Sequence, residues 1–168
     1  MTTPQVRRSF EPGHHRKFLV IADESREVES ALLFAASRIQ RSGGQIKMLY
    51  VVEPDAQFWG GVRQVQVEEE INKAKALFRL FRRKLGVDGF DAVVIEEVIV
   101  EGMRDEMIKA EIEQDQDIAV LVLGAAADAN GPGPLIASLV AGATAGKFPI
   151  PITIVPGNLT IDSIKSLA

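Results

Sequence analysis

Small and acidic residues follow two of the most apolar segments of this chain, where they could contact a ligand. The segment VLVLGAAADANGPGP, residues 120–134, runs from an apolar stretch into Gly124, three alanines and a Gly-Pro-Gly-Pro sequence. Asp23 likewise ends the apolar segment KFLVIAD. A strand that ends at a glycine and leads into a helix often binds phosphate, because the N–H groups at a helix N-terminus attract anions. Phosphate is therefore the first ligand to consider.

Two interpretations remain open for each of these features. The carboxylate of Asp23 could bind the polar edge of a ligand, or it could satisfy free N–H groups at the start of the next helix. Gly131 and Gly133 permit backbone conformations from which a phosphate loop can be built, since glycine adopts positive φ at no steric cost. Alternatively, residues 131–134 form only a tight turn into a helix.

Residues that commonly catalyse reactions are scarce. Both histidines, His14 and His15, lie in a polar N-terminal segment, and a catalytic or metal-binding histidine needs a fixed partner. The chain has no cysteine, which excludes disulfides, thiolate nucleophiles and zinc–thiolate sites. Without a histidine elsewhere no Ser-His nucleophile can form. The sequence therefore predicts neither a catalytic site nor a metal site.

Length and composition indicate one globular domain. The chain has 168 residues, of which 46% are hydrophobic, and its formal net charge is −4. This charge gives no general attraction to nucleic acid or to anionic membranes. No apolar run approaches the roughly 20 residues that span a bilayer, and the N-terminus lacks the apolar core of a signal peptide. We expect a soluble cytoplasmic protein that binds neither nucleic acid nor membrane.

The elements that must position Asp23 and Gly124 alternate along the chain. Apolar runs predict strands, and segments with apolar residues at helical spacing predict helices between them. Strict alternation predicts an α/β fold, an open parallel five-stranded sheet with helices on both faces. Ligands of such sheets bind beyond the carboxyl ends of the strands. We predict strands at 17–23, 45–54, 91–102, 118–124 and 151–157. We predict helices at 24–44, 65–85, 103–115 and 134–147. Around these elements we expect a flexible arm at 1–16, a domain at 17–158 and a tail at 159–168.

Two further features have competing explanations. Basic residues recur between Lys73 and Lys84, but apolar residues are interleaved with them, which is typical of the solvated face of an amphipathic helix rather than of a nucleic-acid site. Phe58 and Trp59 lie beside two glycines in a predicted loop. They could pack over the edge of the sheet or cover a ligand, and the sequence does not decide between these roles.

From Lys17 to about Asn158 the chain resembles the universal stress protein family. The segments that carry the resemblance are FLVIADESREVESALLFAASRI, IKMLYVVEP and DIAVLVLG…IPITIVPG. The resemblance implies an adenine nucleotide alpha hydrolase-like fold with strand order 3-2-1-4-5. It also implies a homodimer that pairs through the fifth strand, with Ile152 and Ile154 at the interface. Adenylate-transferring enzymes share this architecture, but they carry a histidine-bearing phosphate motif that this chain lacks.

Nucleotide-binding members of that family carry a glycine signature after the fourth strand: Gly, two residues, Gly, nine residues, then Gly with Ser or Thr. Gly124 matches the first position, whereas Ala127 stands at the second, and Ala137 with Ser138 at the third if one residue is inserted. A methyl group at these positions keeps the backbone from approaching a phosphate, and Asp128 adds negative charge.

The resemblance also implies a place for a base or ribose. Asp23 and Val51 match positions at which ATP-binding members contact the base or ribose, and Ala22, next to Asp23, is a candidate with them. The sequence therefore predicts a stress-response binding or regulatory module without tight ATP binding, which is not an enzyme. The alternative is a member that binds ATP or another adenine nucleotide with Mg²⁺, with slow or no hydrolysis.

Overall fold

The five predicted strands form one parallel sheet. The structure, a computed structural model, describes residues 6–141 and 144–168. The strands pair in the order β3-β2-β1-β4-β5, which confirms the predicted α/β class and strand order. Each predicted strand is present, with ends that differ from the prediction by a few residues. Their bounds are β1 Lys17–Ile21, β2 Gln45–Val52, β3 Ile95–Glu101, β4 Ile118–Ala125 and β5 Ile152–Pro156.

The helices cover both faces of this sheet, as predicted. Successive residues of a strand point to opposite faces. Phe18 and Val20 accordingly join the core beneath α1 and α2, whereas Leu19 and Ile21 join a second core beneath α3 and α4. The helices are α1 Val28–Ser42, α2 Gly60–Val87, α3 Arg104–Gln114, α4 Pro134–Leu139 and α5 Ile161–Leu167, with a 3₁₀ turn at Ala145–Lys147.

Helix α1 begins at Val28, after the predicted residue 24, and α2 begins at Gly60, before the predicted residue 65. The largest differences from the sequence prediction concern α4 and α5. Helix α4 ends at Leu139, and not near residue 147, because the following segment VAGATAG is rich in glycine and β-branched residues, which disfavour a helix. The predicted tail at 159–168 contains α5. Thr160 caps this helix by accepting the N–H of Ser163 at 3.1 Å, and Ile164 is buried in the core beneath α1.

The predicted flexible arm is a docked segment over residues 6–16, and residues 1–5 lie outside the described part of the chain. Ser9 is buried, and the N–H of Arg8 donates to the carbonyl of Gln116 at 2.9 Å. The guanidinium of Arg7 donates to the carbonyls of Ile118 and Ile112 at 2.9 and 2.7 Å. Composition missed these contacts because they depend on residues about a hundred positions away. The domain limits at residues 17 and 158 stay a prediction.

Candidate functional site

The carboxyl ends of β1 and β4 lie side by side and form a small recess. Parallel pairing of Val20 with Val122 brings the two chain segments that follow these strands to the same edge of the sheet. Asp23 and Gly124 both line this space, which has a volume of about 100 Å³. Glu27 just before α1, Gly133 just before α4 and Ile136 of α4 close it. We call this space the strand-end recess.

Asp23 organises the turn that leads from β1 to α1. Its Oδ1 atom accepts the N–H of Ser25 at 2.8 Å and also the hydroxyl of Ser25. Helix α1 begins later, at Val28, and has no side-chain cap. Asp23 therefore satisfies backbone at a turn and not at the helix N-terminus. Its Oδ2 atom lies 3.9 Å from Nη1 of Arg104, at the start of α3.

Gly124 is needed because the backbone of Glu27 passes directly over it. A Cβ atom at position 124 would lie 2.0 Å from the carbonyl oxygen of Glu27 and 2.9 Å from the Cβ of Glu27. Gly157 is confined in the same way, since a Cβ there would lie 2.5 Å from the carbonyl oxygen of Ala125. The backbone of Glu27 thus occupies the space directly above Gly124.

The turn after β4 is closed by its own hydrogen bonds. Ala126 donates its N–H to the carbonyl of Pro132 at 3.1 Å, and Asp128 accepts the N–H of Asn130 at 2.8 Å. Positive φ values occur at Gly131 and Gly133, at 96° and 106°. Among the described residues every positive φ belongs to a glycine, so the alanines of this turn are unstrained. Gly131 and Gly133 therefore provide the backbone freedom that the signature assigns to other positions.

The structure separates the other candidate residues from this recess. Ala137 and Ser138 are exposed and lie inside α4. Helix α4 begins at Pro134, after Gly133, so these two residues do not form its N-terminus as the signature pair would. The hydroxyl of Ser138 donates to Asp105 of α3 at 3.1 Å. Ala127 is exposed in the loop that precedes Gly131.

Ala22 and Val51, two of the residues assigned to the nucleoside half, are buried. Ala22 is 3% exposed, and its N–H donates to the carbonyl of Leu49 at 2.8 Å. Val51 is 7% exposed and packs in the core beneath α3 and α4. Of the seven candidate positions, the structure brings Asp23 and Gly124 together in the strand-end recess.

Comparison with known proteins agrees with this architecture. The model of the universal stress protein family matches residues 14–156. This chain belongs to the universal stress protein family. A comparison with curated proteins found no match.

Solved structures share the fold at low sequence identity. A universal stress protein from Lactobacillus plantarum is 20% identical, with a TM-score of 0.66, over 83% of this chain and 97% of that one. A universal stress protein in complex with cAMP is 17% identical, with a TM-score of 0.59, over 83% and 96% of the two chains. One from Archaeoglobus fulgidus in complex with dAMP is 17% identical, with a TM-score of 0.52, over 84% and 98%.

A larger cavity lies on the other side of Glu27. Its volume is about 750 Å³, and it is bounded by α1, the end of α2 and the loops after β4 and β5. Buried Leu32, Phe81 and Leu85 line it. Leu159 and Ile161, which form one wall, follow the segment that matches the universal stress protein family. The sequence did not predict this cavity, because residues 159–168 carry no motif that distinguishes them from a tail.

At the opposite edge of the sheet, this universal stress protein buries a cluster of charges. Lys47 of β2 is 4% exposed, and its Nζ atom lies 2.8 Å from Asp115 and in contact with Glu111. Lys17 of β1 also donates to Asp115 at 2.8 Å. Burial alone would raise the pKa of Asp115, but the hydrogen bonds from Lys17 and Lys47 outweigh it and lower this pKa to about 2. We call Lys17, Lys47, Glu111 and Asp115 the Lys47 cluster.

The described residues add two further observations. None of the helices is long and apolar enough to cross a membrane, within residues 6–141 and 144–168. In the same part of the chain, no three acidic or histidine side chains are grouped so that they could hold a metal ion. His14 instead contacts Asp117, with 2.7 Å between Nδ1 and Oδ1. Both residues lie just before β1 and β4, at the opposite end of these strands from the strand-end recess.

Proposed function

We propose that this chain is a stress-response binding or regulatory module that does not bind nucleoside triphosphates tightly and is not an enzyme. The observation that carries the proposal is the position of Glu27, whose backbone covers Gly124. The strand-end recess that remains measures about 100 Å³. Pockets for small molecules usually measure about 300–1,000 Å³. A magnesium-bound triphosphate does not fit a space of this size.

The charge of the recess also opposes phosphate. The carboxylates of Asp23 and Glu27 both line it. Oε1 of Glu27 lies 3.6 Å from where a Cβ on Gly133 would be, so this carboxylate faces the turn that a phosphate would approach. Like charges repel most strongly where little water screens them. The cytoplasm remains the compartment we propose, because the chain has no cysteine that an oxidising compartment would pair.

The second candidate function is binding of a smaller adenine nucleotide. The recess lies at the carboxyl ends of parallel strands, where ligands of α/β sheets bind. The cAMP and dAMP complexes among the structural neighbours support this candidate. An adenine nucleotide would need the turn at Ser25–Glu27 to move, since the space over Gly124 is filled.

Calorimetric titration with Mg-ATP, cAMP and adenosine tests the proposal. We expect Mg-ATP to bind the wild-type protein with a dissociation constant weaker than about 100 μM. The Glu27→Gln variant removes one charge without changing side-chain size, so it should tighten ATP and cAMP several-fold and leave adenosine unchanged. Glu24→Gln, an exposed residue of the same turn, is the matched control. Low-micromolar binding of Mg-ATP to the wild type would reject the proposal and favour the second candidate.

A further inference from the structure

Helix α2 is longer than the sheet that it covers. Its 28 residues span about 42 Å, whereas the 8 residues of β2 span about 26 Å. Its buried residues, Ala74, Phe78, Phe81 and Leu85, all lie in its second half. None of the residues 60–73 is buried. The first half of α2 therefore contacts the core of the domain only through partly buried side chains, among them Val67 and Ile71.

This first half presents apolar side chains to solvent. Trp59, Val62 and Val65 are 83%, 60% and 54% exposed. Val62 and Val65 lie one turn apart on the helix, and Trp59 directly precedes the helix with an extended backbone. Phe58, which is 38% exposed, precedes them. We call these four residues the Trp59 stripe. Exposed apolar residues that lie next to one another mark interaction surfaces, whereas isolated ones need no explanation.

The charges beside the Trp59 stripe are mainly negative. Asp55 lies three residues before Phe58, and Glu68 and Glu69 lie one turn after Val65. None of these three carboxylates forms an ion pair with another described residue. The neighbouring Arg63 is already paired with Glu101 at 3.1 Å. A partner that covers the stripe therefore meets uncompensated negative charge.

We propose that the Trp59 stripe binds a basic amphipathic helix of a partner protein. The exposed apolar residues at the start of α2 are complementary to the apolar face of a second helix, and Lys or Arg beside that face would neutralise Asp55, Glu68 and Glu69. A second copy of this chain would bring the same three carboxylates, which repel each other. An anionic membrane would be repelled for the same reason.

Trp59 itself reports on this surface, because it is the single tryptophan of the chain. The probe is a synthetic amphipathic helix of leucine and lysine, about 18 residues or five turns long. We expect a saturable blue shift of the tryptophan emission with a micromolar dissociation constant. A leucine–glutamate helix of the same length is the control for charge and should bind at least ten-fold more weakly.

Two variants locate the binding surface. Val62→Asp should weaken binding of the leucine–lysine helix at least ten-fold, and it should not impair folding because Val62 is exposed. Val87→Asp is the matched control, since Val87 is 82% exposed at the other end of α2. Equal binding of both peptides, or unchanged binding by Val62→Asp, would overturn the proposal. An emission shift that depends on protein concentration alone would overturn it in favour of a second copy. The result does not depend on the strand-end recess.

Discussion

The carbonyl oxygen of Glu27 approaches Gly124 so closely that a Cβ atom at position 124 would lie 2.0 Å from it. This contact joins the turn before α1 to the end of β4. It also explains why the glycine that opens the family signature is present here although the strand-end recess is small. Its role in this chain is to admit the backbone of Glu27, so the residue is structural whether or not a ligand binds.

Gly124→Ala should therefore destabilise the protein strongly. The added methyl group would overlap backbone atoms, which cannot rotate away as a side chain can, so α1 or β4 must shift. We expect a loss of about 2–4 kcal/mol in the free energy of unfolding, measured by urea denaturation. Gly86→Ala is the control, because a Cβ there meets only the Cβ of Asp91 at 4.0 Å. Equal stability of the two variants would contradict the contact.

The Lys47 cluster makes stability depend on acid pH. The pKa of Asp115 is about 2 in the folded protein, below its ordinary value of 3.8. The ionised carboxylate therefore contributes stability above about pH 4, and that contribution is lost as the pH falls from 4 to 2. We expect Asp115→Asn to lower the free energy of unfolding by about 2 kcal/mol at pH 7. The free energies of unfolding of the variant and the wild type should become equal near pH 2.

Urea denaturation of both proteins between pH 2 and 7 measures this dependence. Asp91→Asn, which changes an exposed carboxylate, should leave the pH profile as it is. The difference in the free energy of unfolding between the wild type and Asp115→Asn could instead be the same at every pH. That result would show that the charge of Asp115 does not stabilise the fold.

Arg7 should fix the N-terminal segment to α3 and β4. Its guanidinium caps the last carbonyls of α3, which a helix C-terminus leaves without intrahelical partners. We expect Arg7→Gln to speed hydrogen exchange of residues 8–16 at least ten-fold, as measured by mass spectrometry. Arg8→Gln is the control, because the ion pair of Arg8 with Glu11 is exposed and contributes little. Slow exchange in Arg7→Gln would mean that other contacts hold the segment.

Strand β5 should mediate a homodimer in solution. It pairs with β4 on one side and forms an edge of the sheet, and Ile154 is 40% exposed. An exposed apolar edge strand tends to pair with another chain. Ile154→Lys should raise the dimer dissociation constant at least ten-fold in sedimentation, whereas Ile161→Lys, at 41% exposure outside the strand, should not. A wild-type monomer at micromolar concentration would refute the prediction.

Part of the candidate site follows from sequence. Parallel strands place their carboxyl ends at one edge, so the proximity of Asp23 and Gly124 could be predicted from the apolar runs that precede them. The assignment of Ala137 and Ser138 depended on counting residues through a loop. A count cannot show where a helix begins, and α4 begins at Pro134 because Gly133 adopts a φ of 106°.

The sequence by itself determined the order of the elements and the parallel sheet, because apolar periodicity is a local property that every residue of a strand or helix repeats. The family was indicated separately, by the resemblance of whole segments between Lys17 and about Asn158. Only the tertiary structure decided what occupies the space above Gly124, what neutralises Lys47 and where Arg7 binds. Glu27, Asp115 and the carbonyl of Ile118 are distant in sequence from these respective partners. Their contacts depend on how helices pack across the sheet, and no local pattern of residues records that packing.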